Sequence, residues 1–190
     1  MLYWRCFSWA TFPWCSSLFP AAIWTRLPMK HRVYLETTII SYLAALLSRD
    51  LIIAAHQQIT QEWWATRRAE FDLAVSPLVI QEASAGDEAA AARRLALLTD
   101  ITILETTDQV SAVAQAIVDS GAMPAKAIAD ALHVAFAAVH QIEYLLTWNL
   151  AHLANAAMRS TIERACRSTG YEPPIICTPE ELLEAYHVER

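Results

Sequence analysis

The stretch Val33-Tyr34-Leu35-Glu36-Thr37-Thr38 decides how this chain is read. Three apolar residues in a row describe a short strand buried on both faces, as a central parallel strand must be. The run stops at an acid, and hydroxyl residues then open a helix predicted over Thr37 to Leu47. Ser48 and Asp50 offer a cap for a second helix to about Arg68, with Leu51, Ile52, Ala55, Ile59 and Trp63 at helical spacing. The alternation then repeats. Leu73 to Val75 reads as a strand, Ser76 and Pro77 open a short helix, and Asp87 caps a helix over Glu88 to Leu98. Ile101 to Leu104 is a third strand, and a helix from Thr107 is closed by Gly121. Pro124 opens a helix to about His140, and Tyr144 to Thr147 is a fourth strand. A helix over Leu153 to Ser168 stops at Gly170, Pro174 to Cys177 is a fifth strand, and Thr178 to Glu181 spell a capping box.

Strands alternating with helices imply a parallel sheet covered on both faces. The expected fold for residues 29–190 is one α/β domain, a three-layer α/β/α sandwich around a mostly parallel sheet of four to five strands. Composition agrees. With 190 residues the chain suits a single core, and with 55% hydrophobic residues, much of it alanine, it favours helix. Three glycines cannot spell a dinucleotide fingerprint or a P-loop. A net charge of −6 argues against broad, salt-driven nucleic-acid binding. It leaves room for carboxylates that hold cations and for a basic protein partner. Cys6, Cys15, Cys166 and Cys177 form neither a zinc-type pair nor a disulfide framework, so a reducing, cytoplasmic setting is expected.

Residues 1–28 differ from the rest. They hold four of the seven tryptophans and no acid, and Pro13, Pro20 and Pro28 interrupt them. A signal peptide and a membrane helix both fit poorly. The expectation is an extension outside the fold, with Met29 as the true start.

In open parallel sheets ligands gather beyond the carboxyl ends of the strands. Glu36 ends the first strand, Glu82 lies in the helix after the second, Asp130 opens the helix before the fourth, and Asn149 follows the fourth. Four separate segments thus bring an acid or amide toward one rim. Crowded carboxylates repel unless a cation neutralises them. Magnesium and manganese take oxygen ligands, and such a cation can polarise a phosphodiester and activate water. Acids at strand ends and helix starts also serve as plain caps, so spacing alone leaves both roles open.

Specific strings narrow the choice. Val33 to Thr38, Glu82-Ala83-Ser84-Ala85-Gly86, Asp130-Ala131-Leu132-His133-Val134-Ala135 and Tyr144-Leu145-Leu146-Thr147-Trp148-Asn149 resemble, in order and separation, the acid-bearing segments of PIN domains. Within that family the chain is similar to VapC-type toxins. The resemblance implies a ribonuclease that cuts RNA by metal-activated water with Mg2+ or Mn2+. It implies that Glu36 and Asp130 hold the principal ion, that Glu82 binds it directly or through water, and that Asn149 completes the site or positions a second ion. It further implies homodimers and inhibition by an antitoxin. Two departures stand out: Glu36 and Asn149 occupy positions where the family usually has Asp. The neutral amide favours an alternative, a catalytically weak domain that acts by binding a protein or RNA partner. Phosphoryl transfer through an aspartyl nucleophile lacks its Asp-x-Asp, because Thr37 follows Glu36.

Thr37, Thr38 and Ser41 either cap the first helix or offer donors to a phosphate. His133, three residues after Asp130, either orients a carboxylate, carries a proton or is a satisfied core histidine. His152 stands likewise after Asn149. Trp148 either stacks on a base or packs in the core. Trp63, Trp64, Arg67 and Arg68, at one helix end, describe either a partner or RNA surface or a core tryptophan with a solvated arginine pair, and Arg159, Arg164 and Arg167 a phosphate contact or a solvated face.

Overall fold

The structure is a computed structural model that describes residues 30–184. The expectation for residues 1–28, and for Met29 as the start, lies outside the described residues. Five strands form one all-parallel sheet: β1 (His31–Leu35), β2 (Phe71–Val75), β3 (Thr102–Ile103), β4 (Tyr144–Leu146) and β5 (Ile175–Cys177). Among the described residues eight helices complete the α/β/α sandwich: α1 (Thr37–Ala44), α2 (Leu51–Thr66), α3 (Pro77–Ala83), α4 (Glu88–Ala96), α5 (Asp108–Asp119), α6 (Ile128–Val139), α7 (Ala156–Ser168) and α8 (Pro179–Glu184). None of them is long and apolar enough to cross a membrane.

The strand order is β3-β2-β1-β4-β5. The chain first builds outward from β1 on one side, then returns to build on the other. Right-handed crossovers send the two sets of connecting helices to opposite faces. Their contacts divide accordingly, with α1 to α4 and α8 in one group and α5, α6 and α7 in the other. The order reverses between β1 and β4, which pair from Val33–Tyr144 to Leu35–Leu146. A crevice opens at such a reversal beyond the strand ends, and polar side chains placed there face a common space.

The apolar runs explain the centre of the sheet. Val33, Tyr34, Leu35, Val75, Leu145 and Leu146 are wholly buried. β3 departs from expectation. It is a strand of two residues, both exposed and paired only with β2 among the described residues, while Ile101 and Leu104 of the expected run are buried on either side of it. α1 ends at Ala44, three residues early. The buried Gln57 of α2 reaches back to accept from Ser48 N–H at 2.8 Å and to donate to Leu46 C=O at 3.0 Å. Those bonds satisfy an extended connection and leave Leu46 and Leu47 exposed. α7 starts at Ala156, three residues late, with Asn155 as its cap. The preceding segment folds back on Asn149, whose carbonyl accepts from Ala154 N–H at 2.9 Å.

Caps otherwise fall where the sequence puts them. Asp50, Ser76, Asp87 and Thr107 each accept a backbone N–H of the helix that follows. Thr178 and Glu181 close a reciprocal capping box. Cys166 and Cys177 are free and buried.

Candidate metal centre

Glu36 is the first residue past β1 and the cap of α1. Its backbone N–H continues the ladder to Leu146 C=O at 3.1 Å, which fixes it over the β1–β4 crevice. Its buried side chain accepts three hydrogen bonds on Oε2: from Thr38 N–H at 3.1 Å, from the Thr38 hydroxyl, and from the Thr147 hydroxyl at 2.8 Å. Both hydroxyl protons are aimed there for a local reason. Thr38 Oγ1 accepts Trp148 N–H at 2.9 Å, and Thr147 Oγ1 accepts Asn149 N–H at 2.9 Å, so each hydroxyl has its proton left for Glu36. No described residue donates to Oε1.

Glu82 lies in the last turn of α3, the helix after β2. It too is held through Oε2 alone, by the Thr37 hydroxyl and by His133 Nε2 at 3.3 Å. Burial pushes its carboxyl pKa up, but the His133 and Thr37 hydrogen bonds outweigh burial and hold it below its ordinary value. His133 is buried on α6, and its Nδ1 lies 2.8 Å from the Tyr34 hydroxyl. One ligand atom each from Glu36, Glu82 and His133 lie within 4.8 Å of one another, close enough to share a cation.

Asp130, in the first turn of α6, sits differently. Its Oδ1 accepts from Asn149 Nδ2 at 2.8 Å and its Oδ2 pairs with His152 Nδ1 at 2.6 Å. Asn149 Oδ1 accepts His152 N–H at 3.1 Å, which fixes the amide orientation. Glu36, Thr147, Asn149 and Asp130 thus form one continuous hydrogen-bonded line across the rim.

The four sequence candidates therefore share the rim, and Glu36 with Glu82 come together around His133. Thr37 and Thr38 direct their hydroxyls at carboxylates. Trp148 is buried, stacked on His56 with ring centres 3.9 Å apart, and its indole N–H donates to Thr60 at 2.7 Å. Trp63 lies in the core, and Arg68 covers the Trp64 ring at 4.2 Å. Arg167 pairs with Glu163 and Glu172 on the surface. Sequence reading passed over Thr147, Tyr34 and Ser76. Tyr34 carried a signal, since a tyrosine within a fully buried run must find a partner for its hydroxyl. A cavity of about 520 Å³ opens at the opposite, amino-terminal rim, lined by Lys30, Arg32, Arg68, Asp72 and Asp100. Its charges are mixed and Arg32 is engaged with His140 C=O at 2.7 Å, so the carboxylate rim is the better centre for chemistry.

Comparison with known proteins gives one family. A family model described as the PIN domain matches residues 33–155. A search of the curated proteins found no match. Among solved structures the chain is similar to VapBC2 from Rickettsia felis, bound to a DNA fragment from the promoter. That likeness has 13% identity and a TM-score of 0.47, and covers 77% of this chain and 98% of the other.

Proposed function

The chain belongs to the PIN-domain family, and from that premise we propose that it is a divalent-cation-dependent ribonuclease, the toxin of a toxin–antitoxin pair. The observation that carries the reading is the pair Glu36 and Glu82. Two carboxylates from separate elements are each pinned through Oε2, with no described donor on Oε1. Oxygen donors at this spacing fit magnesium or manganese. When bound, such an ion supplies Lewis-acid polarisation of the phosphodiester and an activated water.

The chain's own residues do the rest. Glu36 and Glu82 bind the ion through the oxygens left open. Asp130 joins them from the start of α6, since a carboxylate offers about four lone-pair sites and two are filled here. Asn149 and His152 orient Asp130. Thr37, Thr38 and Thr147 keep the two glutamates from turning away. RNA lies across the rim, and an antitoxin would inhibit by covering it. A homodimer and a cytoplasmic setting belong to the same reading.

The test is cleavage of single-stranded RNA by the purified protein with Mn2+. We expect chelator to stop it and Asp130→Asn to abolish it while weakening Mg2+ binding. Cleavage indifferent to chelator and to Asp130→Asn would sink the proposal. Asn149 favours a second reading, a partner-binding domain with little catalysis, because the neutral amide already bonds Asp130. RNA retained without cleavage in Mn2+ would select it.

A further inference from the structure

Resting on the reading of Glu82 as a ligand, we propose that Ser76, Tyr34 and His133 form a one-way buried hydrogen-bond chain whose last donor, His133 Nε2–H, positions the Glu82 carboxylate. His133 then acts through Glu82 and is not itself a metal ligand.

The three side chains are buried and come from three elements: the cap of α3, β1 and α6. Ser76 Oγ and Tyr34 Oη are 2.7 Å apart, Tyr34 Oη and His133 Nδ1 are 2.8 Å apart, and His133 Nε2 lies 3.3 Å from Glu82 Oε2. Distances alone allow the chain to run either way, but counting protons does not. Ser76 Oγ already accepts Val79 N–H at 3.4 Å as the helix cap.

If Ser76 donates to Tyr34 and Tyr34 donates to His133 Nδ1, the imidazole proton sits on Nε2 and points at a carboxylate oxygen. Every proton then has an acceptor. In the reverse direction His133 Nδ1–H donates to Tyr34, and Tyr34 donates to Ser76. The Ser76 proton then has no acceptor among the described residues, a costly state for a buried hydroxyl. The bare Nε2 lone pair would also face the Glu82 anion. If both ring nitrogens donate, one of the two hydroxyl protons is left without an acceptor in the same way. Burial pushes the Tyr34 phenol pKa upward, so its proton stays in place in either direction and the count above decides between them.

A histidine that ligates a metal through Nε2 gives its Nδ1–H to an acceptor. The Ser76–Tyr34 pair fills that role with a donor, so the tautomer separates positioning from ligation.

Imidazole 15N spectra of the metal-free protein read the tautomer directly, with His133→Gln assigning the signal. We expect the proton on Nε2, unchanged when Mg2+ is added, and a mixture of tautomers in Tyr34→Phe. Gln places an N–H where Nε2 was, so His133→Gln should keep Mn2+ affinity within about threefold, whereas His133→Asn, too short to reach Glu82, should lose roughly tenfold. A proton on Nδ1 in the wild type overturns the proposal. So does an Nε2 signal that moves into the coordinated range with Mg2+. Failure of the wild type to bind Mg2+ or Mn2+ would instead defeat the nuclease reading, and the metal-free tautomer would still decide the direction of the chain.

Discussion

Glu36 and Glu82 on one side and Asp130 on the other share a rim, yet the protein grips them in opposite ways. Each glutamate is held through one oxygen by hydroxyl, backbone and imidazole groups. Asp130 is held through both oxygens, by Asn149 and His152. A carboxylate pinned at one oxygen is pre-oriented with the other open, which suits a cation. One matched at both oxygens is already satisfied by protein and must share its lone pairs to take on an ion. On the proposed reading the glutamate side would hold the ion most firmly, and Asp130 would adjust to it. Exposure does not divide the same way: Glu36 is nearly sealed, whereas the Glu82 side chain is 32% exposed and that of Asp130 18%.

The largest effect on Mn2+ affinity should come from Glu36→Gln. The hydroxyls of Thr38 and Thr147 require an acceptor, so the amide oxygen will face them and the NH2 will face the cation site. We expect Mn2+ affinity, read by calorimetry, to fall by at least ~100-fold, with cleavage lost in proportion. Affinity close to the wild type would show that the Asp130 side holds the ion alone and would erase the asymmetry.

His152→Ala should cost less. Asp130 then loses one of two partners and swings about its bond to Asn149, so affinity should drop by roughly 10-fold, the range seen when a group orienting a ligand is removed. A loss as large as that of Glu36→Gln would mean that both sides grip the ion equally.

The asymmetry was not legible in the sequence, although the fold was. Strand and helix order follow from apolar runs and caps that are local, such as Val33 to Leu35 and the Ser76-Pro77 helix start. Local signals failed where a distant side chain decided the backbone, as where Gln57 holds the α1–α2 connection extended. They also failed at Asn149 to Asn155, where side-chain bonds to Asp130 delay α7. The rim itself could be expected from strand ends, but the partnership of Glu82 with His133, or of Asp130 with His152, spans tens of residues. It depends on the reversal of strand order between β1 and β4, which no spacing encodes.

The smallest effect is one of pH, and it isolates the glutamate side without any metal. Glu82 has a folded pKa below its unfolded value of 4.5, because bonds to His133 and Thr37 outweigh the opposing push of burial. The unfolded chain therefore binds more protons at this position, and stability rises with pH through the interval between the two values. Above pH 4.5 the contribution is fully present, and it is lost as pH falls through the folded value. Glu82→Gln removes it. Urea unfolding in chelator should show the variant less stable than the wild type at neutral pH, with the two curves converging on acidification. A gap that stays constant across that range would mean that the grip on Glu82 is no tighter in its charged form, and the contrast with Asp130 would lose its electrostatic basis.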